Sequence, residues 1–236
     1  MANIIITGAS SGIGFETVLD LTSNKENNVI ALARSADKLR RLHEISSDLN
    51  FDGGMLYPAQ FDIVYDNYAD SLVPFIKSKF DKVDILINNA GALINKPFLE
   101  TSTEDFAQML QSNLLGHINM IKHITPLMTE GGHIVNISSM GGYQGSSKFA
   151  GLSAYSASKG ALSILTECLA EEFKDKNIKV NCLALGSSQT EMFEAAFPGL
   201  EAGTLAFEMG RYIAEFAQNG SKFFNGKILP VSNTTP

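Results

Sequence analysis

Tyr155 and Lys159 stand four residues apart in LSAYSASKGALSILTECLAEEF, an apolar, small-residue run whose pattern predicts one long helix. On a helix, positions i and i+4 share a face. An ammonium beside a phenol favours the phenolate and lowers the phenol's pKa from about 10. The pair therefore has the makings of an acid/base centre, with Tyr155 giving or taking a proton. It also fits an ordinary surface pair, so the neighbouring elements decide.

A second chemical feature lies at the start. TGASSGIG, residues 7–14, follows an apolar run, Asn3 to Ile6, that predicts a strand, and opens a helix expected to run to about Ser23. Gly8, Gly12 and Gly14 allow close backbone approach, and the N–H groups at the helix start can hold a pyrophosphate. The spacing is G-x-x-x-G-x-G rather than G-x-G-x-x-G. A second strand, Val29 to Ala33, ends in VIALARSADKL. An acidic residue here would bind a ribose 2′-hydroxyl and favour NAD. Ala33 and Arg34 stand there instead, and the Arg34 guanidinium offers donors to a 2′-phosphate. The expectation is NADP(H) over NAD(H), with NAD possible because Ser11 adds no second charge.

The remaining elements alternate. Ser35 can cap a helix with Leu39, Leu42 and Ile45 on one face, and Met55–Phe61 is a third strand. A helix is expected over 66–80, disturbed by Pro74, with Leu72, Phe75, Ile76 and Phe80 inward. Val83–Ile87 is a fourth strand. A long helix is expected over about 102–128, bent at Pro126, and His133–Ile137 is a fifth strand. After the Tyr155 helix come a sixth strand at Ile178–Leu185, an aperiodic stretch at 186–200, a helix at 201–218 and a last strand at Lys227–Val231. Short apolar strands separated by helices predict a single doubly wound parallel sheet of the Rossmann type, with helices on both faces. No linker, repeat or charge block divides residues 1–236, so one domain is expected.

Composition narrows the functions. The chain has 236 residues, net charge −7, no Trp and no basic tract, which argues against a nucleic-acid partner. The four histidines and two cysteines show no metal-ligand spacing, so no metal is expected. Cys168 and Cys182 sit in apolar patterns and are expected as buried free thiols, which suits a reducing cytosol. MANIIITGAS lacks the features of a signal peptide, and no apolar run reaches a membrane span. A cytoplasmic, membrane-free protein is expected.

TGASSGIG, DILINNAG (84–91), HIVNISS (133–139) and YSASK (155–159) together resemble the short-chain dehydrogenase/reductase family, in its order and at about its spacing, over nearly the whole chain. The resemblance implies an NAD(P)-dependent oxidoreductase that moves a hydride between the nicotinamide and a carbonyl or secondary alcohol. Its catalytic set maps to Asn113, Ser139, Tyr155 and Lys159. Tyr155 would be the proton donor, Lys159 would bind the nicotinamide ribose and lower the Tyr155 pKa, Ser139 would hold the substrate oxygen, and Asn113 would hold a water near the lysine. Ser138 competes with Ser139, and a buried structural amide competes for Asn113.

Cofactor contacts map likewise. The glycine turn contributes Gly8, Ser10, Ser11, Gly12, Ile13 and Gly14. Asp62, in QFDIVYD, would bind the adenine amino group with Ile63 beside it, Asp66 being an alternative cap for the next helix. Asn89, Ala90 and Gly91 would line the cofactor after the fourth strand, whereas Asn88 and Asp84 look structural. Gly186 and Thr190, in LGSSQT, would meet the nicotinamide carboxamide together with Tyr155 and Lys159. Two departures stand out: Leu185 replaces the family's usual proline, and FNGKILPVSNTTP lacks its acidic-Gly-Gly finish. A homodimer or homotetramer acting on a small molecule is implied.

Residues 186–225 are expected as a mobile substrate lid, with about half of Met192, Phe193, Phe197, Leu200, Leu205, Phe207 and Met209 packed as core. Tyr143, Phe149 and Leu152 are placed to touch substrate. The alternatives are a nucleotide-sensing regulator on the same fold, and a sugar-nucleotide epimerase or dehydratase, which usually needs more chain after Leu185.

Overall fold

The computed structural model describes residues 2–49 and 52–233. Seven parallel strands form one sheet in the order β3-β2-β1-β4-β5-β6-β7. They are β1 (Ala2–Thr7), β2 (Asn27–Ala33), β3 (Met55–Gln60), β4 (Val83–Asn88), β5 (Met128–Ser139), β6 (Lys179–Leu185) and β7 (Ile228–Val231). The order reverses between β1 and β4. In an open α/β sheet that switch point leaves a crevice at the carboxyl ends of the strands, where ligands bind.

The helices are α1 (Gly12–Ser23), α2 (Ala36–Leu49), α3 (Val73–Lys79), α4 (Thr103–Leu110), α5 (Gly116–Ile124), α6 (Ser153–Glu172), α7 (Glu191–Ala196) and α8 (Ala206–Asn219). Successive strand residues face opposite sides of the sheet. Ile4, Ile6, Val29 and Ala31 therefore pack against α1, α2 and α8 through Val18, Leu39, Leu42 and Ile213. Ile5, Ile30 and Leu32 pack on the other side against α3, α5 and α6 through Ile76, Met120, Ile121 and Ala170. Both faces of the sheet are covered, which is why the strands read as continuous apolar runs.

Two helical expectations change. The helix expected over 102–128 is α4, a widened π-turn at Gln111–Leu115 and α5, followed by a 3₁₀ turn at Thr125–Leu127. Pro126 has no N–H to continue the α-helical ladder, so the chain tightens and leaves, and Met128 already pairs with Val83 in the sheet. The expected 66–80 helix likewise opens with a π-turn, Tyr68–Leu72, and Pro74 falls in the first turn of α3, where a missing N–H costs least.

Burial corrects several side chains. Cys182 is buried, but Cys168 is exposed on the outer side of α6. In α2, Ser46 joins Leu39 and Leu42 as the buried face, and Ile45 is half-buried. Of the apolar residues between 192 and 209, Met209 alone is buried. α8 itself is a core helix, contributing Met209, Ile213, Ala214, Phe216 and Ala217. It lies against α1 so closely that a Cβ on Gly210 would meet Glu16 Cβ at 2.7 Å. Within the lid expected over 186–225, α8 is held by the main core. The last residues of the C-terminal motif, Thr234–Pro236, lie outside the described residues.

Candidate active site

The turn after β1 brings backbone unusually close together. Gly8 has φ +71° and Gly12 φ +54°, conformations that side chains rarely adopt. A Cβ on Gly14 would strike the Gly8 carbonyl, and one on Gly8 would lie 2.7 Å from Ala90 Cα. Ser11 caps α1 without a side-chain bond to it. The first N–H groups of the helix are therefore left to an external acceptor, and the positive end of the helix dipole favours an anion. This donor set and the glycines at positions 8, 12 and 14 fit a dinucleotide pyrophosphate.

The end of β4 is tied to this turn. The Thr7 hydroxyl accepts from the N–H groups of Asn89 and Ala90, both at 3.0 Å, and Asn89 Nδ2 donates to the Thr7 and Gly8 carbonyls. Asn88 instead points inward, donating to Asn136 Oδ1 at 2.9 Å. Asp84 holds the Asn3 N–H and the Thr129 hydroxyl. Asp62 accepts from the Val64 N–H at 2.8 Å, and its own N–H donates to Asp66, so the two acids fix this loop jointly. The Ile63 side chain is buried against Gly116, leaving any cofactor contact there to its backbone.

α6 crosses the carboxyl end of β5 at glycines. A Cβ on Gly142 would lie 2.6 Å from the Gly160 nitrogen, so only glycine admits the close contact. The Ser138 hydroxyl donates to the Lys159 carbonyl at 2.8 Å and accepts from Ser163. Ser139, one residue on, faces the other way and accepts from the Gly141 N–H. It lies beside Tyr155. Burial pushes the Tyr155 phenol above its ordinary pKa, and the hydrogen bond with Ser139 opposes that rise. The expected lowering by Lys159 is not among these influences, because the lysine is turned to the sheet: its Nζ donates to the Ile137 carbonyl at 2.8 Å. Burial lowers the Lys159 pKa to about 8.

Asn113 sits in the widened turn and is fully buried. Its Oδ1 accepts from the Ala92 N–H, while Nδ2 donates to the Ala92 carbonyl and Ser158 Oγ. Gly91 lies against the same group, its Cβ position 3.0 Å from Asn113 Oδ1 and 3.4 Å from Lys159 Nζ. Asn113, Ser139, Tyr155 and Lys159 are thus gathered at the carboxyl ends of β4 and β5.

The short chain dehydrogenase model matches residues 2–201. The chain belongs to the short-chain dehydrogenase family. An oxidoreductase of Botryotinia fuckeliana is 30% identical over 188 residues, which is 79% of this chain and 65% of that relative's length. A 3-oxoacyl-(acyl-carrier-protein) reductase of Synechocystis sp. is 30% identical over 192 residues, 80% of this chain and 75% of that one. A solved 7α-hydroxysteroid dehydrogenase, complexed with NADH and 7-oxo glycochenodeoxycholic acid, matches with TM-score 0.88 at 26% identity, over 99% of this chain and 94% of that one. By membership this is an NAD(P)-dependent short-chain dehydrogenase/reductase.

Within this dehydrogenase, Gly186 and Thr190 lie in the segment after β6. The Gly186 N–H donates to the Val231 carbonyl, Thr190 caps α7, and the Thr190 methyl lies 3.1 Å from the Cβ position of Gly12. Asn95 Nδ2 donates to the Ala196 carbonyl at 2.8 Å, and Phe197 meets Phe149 and Phe193 at 6.2 and 5.2 Å between ring centres. Phe149 is half exposed, and Leu152 is buried at the N-cap of α6. A cavity of about 260 Å³ beside the glycine turn is lined by Ser10, Ser11, Gly12, Lys38, Arg41 and Glu191, among others. Lys38 and Arg41 were not singled out from the sequence. Their spacing of three on the helix after β2 was the available signal. Arg34 is exposed and is not among the residues lining this cavity.

Among the described residues, no helix is long and apolar enough to cross a membrane.

Proposed function

We propose that the protein interconverts a carbonyl and a secondary alcohol with NADP(H), using Tyr155 as the acid/base group. The observation that carries this is the half-buried Tyr155 phenol hydrogen-bonded to Ser139, on the helix that also supplies Lys159. When bound, the nicotinamide supplies or takes up the hydride. Ser139 and Tyr155 hydrogen-bond the substrate oxygen, and Tyr155 protonates the alkoxide as it develops. Its raised pKa keeps the phenol protonated at neutral pH, the form this direction needs. Lys159, with a pKa of about 8, is mostly an ammonium at pH 7; it would hold the ribose hydroxyls of the cofactor and stabilise the phenolate.

The glycine turn, Asp62, Ile63, Asn89, Ala90, Gly91, Gly186 and Thr190 are assigned to the cofactor on the same reading. NADP preference rests on Arg34 in place of a carboxylate. The half-exposed aromatic surface of Phe149, Phe193 and Phe197 suits a hydrophobic carbonyl substrate. We take residues 1–236 as one nucleotide-binding domain, with the movable lid within 186–205. It would work in the cytoplasm as a homodimer or homotetramer.

The test is NADPH oxidation against a panel of ketones, aldehydes and diketones. Tyr155→Phe should lose on the order of 10²–10⁴-fold in turnover while still binding NADPH. Near wild-type turnover in that variant would remove Tyr155 from the role. Tight NADPH binding by the wild type with no turnover on any substrate would favour a nucleotide sensor.

A further inference from the structure

His117 follows Asn113 by four residues, across the junction of the widened turn and α5. Both side chains are fully buried. The Asn113 amide is satisfied on both sides. His117 is not: among the described residues, neither ring nitrogen has a hydrogen-bond partner. The Ala90 backbone stands near the ring but outside hydrogen-bonding geometry. Burial first, and then the Lys159 ammonium, hold the His117 pKa down to about 3. The imidazole is therefore neutral, with one donor and one acceptor nitrogen. A buried polar ring without partners is costly, and an internal water with two or more polar neighbours is its ordinary remedy.

The other end of the path is Lys159. Its ammonium has three N–H donors, and the Ile137 carbonyl takes one. The backbone at Ala90 and Gly91 lies between the two residues, Ala90 near the imidazole and Gly91 against Lys159 Nζ and Asn113 Oδ1. The other titratable groups around this pair are Tyr155 on α6, Cys182 on β6 and Tyr68, whose hydroxyl bonds the Ile63 and Gly116 carbonyls. Asp62 and Asp66 act on Tyr68, and His123 stacks on its ring. None of these is a carboxylate acting on Lys159. A neutral acceptor is thus the available means of steadying its ammonium.

We propose that His117 is a positioning residue for Lys159, accepting through an internal water a hydrogen bond that orients the ammonium and keeps it charged. This deepens the reading of Lys159 as a functional lysine and rests on it. In wild-type protein labelled at its four histidines, the His117 ring nitrogens should show a neutral imidazole at pH 7. Their NMR shifts should move with a midpoint near 8, following Lys159. That movement should vanish in Lys159→Met. Shifts that stay flat from pH 6 to 10, or that move equally in Lys159→Met, would overturn the proposal.

Kinetics give a second readout. Losing an acceptor for the ammonium disfavours the charged form, so His117→Leu should move the high-pH limb of turnover downward by about one unit. His117→Gln, which keeps an acceptor, should restore it. An unmoved limb in a folded His117→Leu protein would contradict the role. Wild-type turnover in Lys159→Met would instead remove the catalytic reading of Lys159, while the NMR result still decides whether the two residues are paired.

Discussion

The Ser138 hydroxyl donates to the backbone carbonyl of Lys159 at 2.8 Å, fastening the strand that carries Ser139 to the helix that carries Tyr155. Two adjacent serines therefore have separate tasks, because successive strand residues face opposite ways. Ser139→Ala should lower turnover by about 10²-fold or more, the cost of removing one donor to a developing oxyanion, with little change in stability. Ser138→Ala should lower stability by about 0.5–1.5 kcal/mol, the worth of one hydrogen bond, because Ser163 still donates to the Lys159 carbonyl, while turnover is largely kept. Steady-state kinetics and urea unfolding on both variants would check this. The opposite pattern would reassign the substrate contact to Ser138.

That pair also shows what the sequence could and could not reveal. HIVNISS identified a strand and two candidate hydroxyls, but only the register of β5 against α6 says which one reaches Tyr155. Strands and glycine turn were legible because apolar runs and glycine spacing are local signals. Pro126 signals a bend locally, yet the helix ends there, since pairing of Met128 with Val83 is non-local. The core role of α8 is not legible locally, because its partner, α1, lies nearly 200 residues away. Lys38, Arg41 and His117 carried no motif, and their relevance comes from what the fold places beside them.

Gly210 tests the α1–α8 contact. A Cβ there would meet Glu16 Cβ at 2.7 Å and the Thr17 nitrogen at 2.8 Å, so two helix backbones must part. Gly210→Ala should destabilise by about 1–3 kcal/mol despite its better helix propensity. That is a drop of roughly 3–10 °C in Tm for a chain of this size. An unchanged or raised Tm in thermal unfolding would mean that the helices adjust without cost.

Acid should destabilise the protein well above the carboxylate range. His133 Nδ1 donates to the Ala217 carbonyl, its Nε2 accepts from Asn181 Nδ2, and burial lowers its pKa to about 4. His117 is lowered to about 3. In the unfolded chain both titrate near 6.5. Their stabilising contribution is complete above that value and is lost as pH falls toward 4 and 3, because the unfolded chain then binds protons that the folded one refuses. Each group should cost about 1.4 kcal/mol per pH unit in this window. Urea unfolding at pH 7, 6 and 5 would show the slope. His133→Gln should make it shallower, and an equal slope in that variant would exclude His133 as a contributor.

The cavity beside the glycine turn places Lys38 and Arg41 where added phosphate charge would be felt, though Glu16 and Glu191 share its lining. Replacing both cations with Gln should weaken NADPH binding more than NADH binding, and 2′,5′-ADP more than 5′-AMP. Arg34→Gln provides the comparison at the end of β2. Titrations followed by the fluorescence of the reduced cofactors would give the ratio directly. Equal weakening of NADPH and NADH would place Lys38 and Arg41 at the pyrophosphate instead.

The lid proposed within 186–205 is testable through the few contacts that hold this segment. Asn95 Nδ2 reaches the Ala196 carbonyl at the end of α7, and the Lys96 N–H reaches the Gly151 carbonyl, so one loop links the lid to the segment before Tyr155. α7 has no buried side chain, and the rings of Phe193 and of Phe197, which follows it, are only half-buried. An exposed hydrogen bond of this kind is worth about 0.5–1.5 kcal/mol. Asn95→Ala should therefore shift the lid toward open forms and raise KM for a hydrophobic carbonyl by about threefold to tenfold. NADPH affinity should change less, since the glycine turn does not depend on Asn95. If KM is unchanged and NADPH binding weakens instead, residues 186–205 close over the cofactor rather than over the substrate.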